Sequence, residues 1–215
     1  MNIVSYDFEF LKNATMSFES EKRFKHTEGV MREAYELGLI FMPDLAQKLS
    51  LAGLLHDITK DFSTEKQLSL CQEYGFAVDT EHLVPKLLHA KTGCEFAKRL
   101  FGEEIVDDQV YSGIYYHTTG RSKMTLFEAI IYLADYIEPG RTFGDCIRLR
   151  EFFYDGIKNA ASMEEKFEVL RQTMVLSFDM TISNLIEEGK AVDYDTVEAR
   201  NYFLLNKNVF NTTEE

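Results

Sequence analysis

The sequence predicts an all-α protein. Apolar residues recur at helical spacing along most of the 215-residue chain. The three prolines, Pro43, Pro85 and Pro139, stand at the edges of the periodic segments rather than inside them. Runs of alternating Val, Ile and Thr, the mark of half-buried strands, are missing. This length suits one hydrophobic core, and neither a repeat nor a low-complexity tract divides it, so a single helical globule over 1–215 is expected.

The elements follow in order. Phe24 to Leu39 carries Val30, Ala34 and Leu37 on one face, with Gly38 near its stop. Asp44 is expected to cap the next helix, with Gln47 three residues on, and Leu45 to Ile58 is apolar enough to be central and buried. The spacing S/T-x-x-E/Q marks helix starts at Thr64 with Gln67, Thr125 with Glu128 and Ser162 with Glu165. Glu81 to Phe101 reads as a helix interrupted near His89, and Asp107 to His117, Leu126 to Ile137 and Met163 to Glu188 complete the set. Phe167 to Ile186 is expected to pack on the core, and the tail after Asn206 to fray.

Charge narrows the function. With 23 basic and 36 acidic residues the chain carries −13, a surface that repels polyphosphate backbones and disfavours general nucleic-acid or membrane-surface binding. A small anionic ligand then needs cations gathered locally. Cys71, Cys94 and Cys146 are odd in number, far apart and lack C-x-x-C spacing, so they read as reduced buried thiols of a cytoplasmic protein. The first 26 residues hold no continuous apolar run suited to a signal peptide, and no stretch is long and apolar enough to span a membrane.

The histidines carry the chemistry. His26 lies in RFKHTEGV, His56 in LLHDITKD with Asp57 directly after it, His89 in LLHAKTG and His117 in YYHTTGR. His82 has no distinctive neighbourhood and reads as an ordinary residue. Asp135 sits inside the apolar segment IIYLADYIEPGR. Adjacent helical residues point about 100° apart, so His56 and Asp57 share a cation only if it lies close to their helix. Leu51, Ala52, Leu54 and Leu55 bury that helix, and a charged Asp57 there needs cations or hydrogen bonds. Imidazole with carboxylate suits Fe, Mn, Zn, Co or Ni better than Ca or Mg, and a carboxylate can bridge two ions.

The order H…HD…H…H…D resembles the dinuclear HD-domain metalloproteins. The words HTEGV, AGLLHDITKD, LLHAKTG, YHTTGRSKM and LADYIEPGR resemble more narrowly the YqeK-type symmetrical diadenosine tetraphosphate hydrolases of that superfamily, from about Phe24 to Arg150 and more weakly in EARNYFLLN. The resemblance implies a single HD-domain helical globule, with a metal-site core over about 24–150 and helices over 151–205 packing on it. It implies a di-iron centre in which His26, His56, Asp57 and Asp135 hold one ion, while His89, His117 and a bridging Asp57 hold the other. The ligand types themselves leave Mn, Co, Ni or Zn open, and divalent or mixed-valent states. Two such cations acidify water into a nucleophile near neutral pH and offset charge at the attacked phosphorus, and the implied cleavage yields two ADP.

Around these ligands, Lys60 follows Asp57 by three residues, so it lies one turn on and almost on the same face. This aims its ammonium at a phosphate, and Asp57 and Lys60 are the expected catalytic pair. Asp61 reads either as an orienter of Lys60 or as a helix-end charge. In HTTGR, Thr118, Thr119, Gly120 and Arg121 offer hydroxyls, loop N–H groups and a guanidinium to phosphate beside His117. Arg141 is expected to fold back after Pro139 and Gly140, Tyr136 and Phe143 to stack on a purine, and Arg23 to reach a phosphate. The expected partner is a nucleotide, and a homodimer is compatible with the sequence. An H-D-x-x-K lysine beside six ligands also resembles the mixed-valent di-iron oxygenases. Other HD nucleotide phosphohydrolases and a non-catalytic nucleotide sensor are the remaining alternatives.

Overall fold

Every regular element among the described residues of the computed structural model, 6–78 and 84–210, is helical. The helices are α1 (Phe8–Met16), α2 (Glu21–Phe41), α3 (Ala46–Leu55), α4 (Thr64–Tyr74), α5 (Leu88–Phe101), α6 (Asp108–Tyr116), α7 (Leu126–Ile137), α8 (Gly144–Asn159), α9 (Met163–Glu187) and α10 (Tyr194–Leu205). Short 3-10 turns at Pro43–Leu45 and Pro85–Leu87 precede α3 and α5.

Two helices are apolar all round and therefore occupy the centre. In α3, Leu49, Leu51, Leu54 and Leu55 are fully buried, as are Ile130, Ile131, Leu133 and Ala134 in α7. α2 and α6 pack against both, and α5 packs against α3 and α6. On the far side of α7 lies a layer of α8 and α9, with α10 laid on α9. Phe178 of α9 joins the layers through Tyr132 of α7 and Phe203 of α10, at ring separations of 4.7 and 6.1 Å. The packing of α2 on α3 needs a glycine: a Cβ on Gly53 would lie 3.0 Å from the Val30 carbonyl oxygen.

Several boundaries differ from expectation. Asp44 caps nothing, because Pro43 starts a 3-10 turn that runs directly into α3 without a side-chain cap. α4 is capped by Ser63, whose hydroxyl accepts from Lys66 N. Gln67 is buried and donates instead to the Thr59 carbonyl at 2.6 Å, so the Thr64–Gln67 box does not form. Thr125 and Glu128 form the full box, whereas Ser162 accepts from Glu165 N while the Glu165 carboxylate takes the N–H of Ala161. α5 is unbroken at His89; it begins at Leu88, and His82 lies outside the described residues. α2 runs through Gly38 to Phe41. Beyond Asn206 the chain turns back, placing the Phe210 ring 5.7 Å from that of Phe203. All three cysteines are free and buried, and no helix among the described residues is long and apolar enough to cross a membrane.

Candidate metal centre

Helix ends supply most of the site. His56 is the C-cap of α3 with Asp57 just beyond, His117 is the C-cap of α6, His89 opens α5, Asp135 lies in the last turn of α7 and His26 stands within α2. Terminal carbonyls lack helical partners, and the histidines use them. His56 Nδ1 lies 2.7 Å from Gly53 O, His89 Nδ1 2.7 Å from Lys86 O and His117 Nδ1 2.6 Å from Ile114 O. A carbonyl only accepts, so Nδ1 carries the proton in each, and the Nε2 lone pair is left to face inward.

The inward atoms converge. His89 Nε2 is 3.0 Å from His117 Nε2 and 3.1 Å from Asp57 Oδ1, which is 3.5 Å from His117 Nε2. The other oxygen, Asp57 Oδ2, is 3.5 Å from His56 Nε2; Asp135 Oδ1 lies 3.7 Å from His56 Nε2 and 2.9 Å from His26 Nε2. Within the sets His26–His56–Asp57, His56–His117–Asp135 and Asp57–His89–His117, one ligand atom per residue lies within 4.8 Å of the others. Asp57 thus presents its two oxygens to different groups of nitrogens, as a bridging carboxylate must.

The donor set fits metal ions on a direct observation. His26 Nε2, His56 Nε2 and Asp57 Oδ1 are buried without any aligned hydrogen-bond partner. Orphaned atoms of this kind are costly unless a cation meets them. Burial opposes charge on Asp57, yet His56, His89 and His117 outweigh it and hold the carboxyl well below its usual range. Asp135 is likewise held down against burial by Arg141 and His26. Burial lowers His89 to about 4 and also lowers His56, which keeps both rings neutral and able to donate lone pairs. For His26 burial is outweighed by Asp135 and Glu138, which raise it to about 9, so a proton or a metal cation is favoured between these carboxylates.

Of the residues expected around the ligands, Lys60, Arg23, Arg141 and Thr118 arrive. Lys60 Nζ is 3.0 Å from His89 Nε2 and 3.9 Å from Asp57 Oδ1. Arg23 Nη1 donates to Asp57 Oδ2 at 2.8 Å, Arg141 pairs with Asp135, and both guanidiniums keep an unpartnered Nε–H. Thr118 Oγ1 is 3.1 Å from His117 Nε2. Beside them opens a cavity of about 570 Å³, lined by His117, Thr118, Asp135 and Arg141 of the cluster and also by Tyr136, Phe143, Asp145, Asn184 and Glu188.

Four residues turn elsewhere. Arg121 grips the fully buried Glu128 with two hydrogen bonds of 3.1 and 2.9 Å and stacks over Tyr116, because a carboxylate buried there requires a countercharge. Thr119 donates to the Gly120 carbonyl. Gly120, at φ +65°, is wedged so that a Cβ would lie 2.7 Å from the Phe178 ring. Asp61 accepts from Ser20 N at 2.8 Å and lies 3.8 Å from Arg23 Nε, so it anchors the start of α2 rather than orienting Lys60.

Two participants escaped the sequence reading. Glu138 Oε1 lies 3.0 Å from His26 Nδ1, and Arg150 of α8 holds the turn that carries Glu138. The available signal was Gly29 and Gly140, glycines close in sequence to His26 and Glu138.

Residues 23–140 match the HD domain, more than half of the chain, and the chain belongs to the HD-domain family. Within it the chain stands with the symmetrical tetraphosphatases. It is 32% identical over 85% of its length to the bis(5'-nucleosyl)-tetraphosphatase, symmetrical, of Staphylococcus aureus, covering 87% of that protein. It is 31% identical over 86% of its length to the protein of the same name from Bacillus subtilis, covering 91% of it. The crystal structure of a predicted HD superfamily hydrolase involved in NAD metabolism from Clostridium acetobutylicum superposes with a TM-score of 0.80 at 36% identity, over 94% of this chain and 99% of that one.

Proposed function

We propose that this protein is a metal-dependent phosphohydrolase that cleaves diadenosine tetraphosphate symmetrically into two ADP. The observation that carries this is the convergence of the six candidate ligands, with orphaned inward atoms, beside a cavity, with Lys60, Arg23 and Arg141 gathered against them. The names borne by the relatives in Staphylococcus aureus and Bacillus subtilis support the substrate and the symmetry of the cut.

In this reading His26, His56, Asp57 and Asp135 hold one ion, and His89, His117 and Asp57 the other, with iron as the metal we favour. Bound cations at this donor set supply positive charge beside the attacked phosphorus and lower the pKa of water. Lys60, Arg23 and Arg141 neutralise the phosphate chain. The Thr118 hydroxyl offers a further contact next to His117. Tyr136 and Phe143 flank the space into which one adenine extends. Asp145 and Glu188, which also line the cavity, repel phosphate, so the tetraphosphate lies toward the candidate ligands. This local gathering of three cations is how a chain of net charge −13 holds an anion. We place the protein in the cytoplasm, in keeping with its free, buried cysteines.

The test uses anaerobically purified protein of known metal content, incubated with diadenosine tetraphosphate and analysed by chromatography. ADP as sole product is expected. AMP with ATP overturns the cleavage geometry, and no turnover from chains carrying two metals overturns the hydrolase reading; oxygen uptake would then be measured.

A further inference from the structure

Three of the ligand histidines are braced by their own local backbone, each through the carbonyl three residues earlier. His26 has no such brace. It stands inside α2, where the preceding carbonyls already accept helical hydrogen bonds, so its Nδ1 needs an acceptor from another element. Glu138, just past α7, provides it at 3.0 Å, and its second oxygen accepts from Gly140 N at 2.5 Å. The carboxylate is 2% exposed and sits in space that only glycines leave open: a Cβ on Gly29 would lie 2.3 Å from Glu138 Oε2, and one on Gly140 2.8 Å from it. The turn itself is pinned from α8, beyond the matched HD segment. Arg150 donates from Nε to Ile137 O at 2.6 Å and from Nη2 to the carbonyls of Glu138 and Arg141 at 2.5 and 2.9 Å.

We propose that Glu138 is the positioning carboxylate of the His26 ligand, held in place by Arg150, and that it selectively strengthens the metal site to which His26 belongs. An ionised carboxylate only accepts, so it fixes the proton on His26 Nδ1, aims the Nε2 lone pair into the centre and makes the ring more basic. The proposal rests on the metal-centre reading of His26. It gives Arg150 a role in the site without contact to substrate or metal.

Glu138→Gln isolates the effect. The amide keeps the shape but loses the charge, and it cannot accept from both His26 and Gly140 without turning its NH₂ toward one of the two donors. Chelator-stripped wild type, Glu138→Gln, Glu138→Ala, Arg150→Lys and His26→Ala are titrated anaerobically with Mn²⁺ by calorimetry, and metals per chain are counted after desalting. Wild type is expected to retain two ions. His26→Ala should lose one, and both Glu138 variants should keep one at wild-type affinity while binding the second about 10- to 100-fold more weakly. Arg150→Lys should follow in the same direction by less, and the visible spectrum of Co²⁺-loaded Glu138→Gln should change for one ion of the two. Melting of the metal-free proteins reports folding; if Glu138→Ala does not fold, the isosteric Gln variant decides. A folded Glu138→Gln with both affinities within twofold of wild type overturns the role of Glu138 alone. Equal weakening of both sites also overturns it, as the mark of a general structural defect. Wild type that takes up no metal overturns the metal centre and this inference with it.

Discussion

Two turns of this chain share a Gly-Arg pair placed a few residues beyond a metal-ligand candidate: Gly120-Arg121 after His117 and Gly140-Arg141 after Asp135. Their arginines end in different places. Arg121 is taken by Glu128, a fully buried carboxylate that also closes the cap of α7 by accepting from Thr125 N. Arg141 pairs instead with Asp135, onto which the turn held by Glu138 and Arg150 brings it, beside the cavity. The two arginines differ in where the partner carboxylate lies, Glu128 fully buried in the scaffold and Asp135 partly exposed among the candidate ligands. In this reading one turn stabilises the fold and the other is proposed to serve the site.

Both turns flank the candidate metal centre, so the largest effect is expected where that centre is removed. Asp57→Ala deletes the carboxylate shared by the two ligand groups. Both ions should be lost on desalting, and hydrolysis of diadenosine tetraphosphate should fall at least about a thousandfold, since metal charge stabilisation contributes several kcal/mol. Elemental analysis beside the product assay checks this, and retention of two ions would remove Asp57 from its bridging role. Next comes Arg141→Ala, which should lower kcat/KM about 100-fold by withdrawing a directed cation from the phosphate chain, with the melting temperature little changed. A kcat/KM within threefold of wild type would assign Arg141 to Asp135 alone.

How much of this was legible beforehand follows the same division. The candidate ligands stood out because histidine is scarce here and each of the four sits in or beside an apolar helix, and the structure brings all of them and both aspartates into one cluster. Glu138 is one of 36 acidic residues and shows its role only once α2, α7 and α8 are assembled. Arg121 and Arg141 carry the same local signal, and Glu128, which separates them, reads in sequence only as a helix cap. Among the helices, α3, α7 and α9 were clear from sustained apolar periodicity. α8 buries only Cys146, Leu149 and Phe153 among its sixteen residues, and α1 buries only Leu11 and Thr15, so charged neighbours hide the stripe in both.

Arg121→Ala should show the opposite balance to Arg141→Ala. It leaves Glu128 buried with only the Thr125 N–H for company, a loss of about 2 kcal/mol after allowing for the partial exposure of Arg121. For a chain of this length that lowers the melting temperature by about 4–8 °C, measured by calorimetry. The kcat/KM of the folded fraction should stay within about threefold of wild type. A 100-fold loss of kcat/KM without thermal destabilisation would put Arg121 back among the phosphate contacts and erase the distinction between the turns.

The smallest expected effect divides neighbouring hydroxyls. Thr118 Oγ1 faces the ligands, 3.1 Å from His117 Nε2, while Thr119 Oγ1 donates to the Gly120 carbonyl within its own loop. A neutral hydrogen bond to phosphate contributes about 1 kcal/mol, so Thr118→Ala should raise KM for diadenosine tetraphosphate about fivefold, whereas Thr119→Ala should leave KM within twofold. Both variants should melt within about 2 °C of wild type, since neither removes a buried apolar group. Steady-state kinetics on the pair locate the boundary between site and scaffold to a single residue, and a larger KM effect from Thr119→Ala would move that boundary one position toward Gly120.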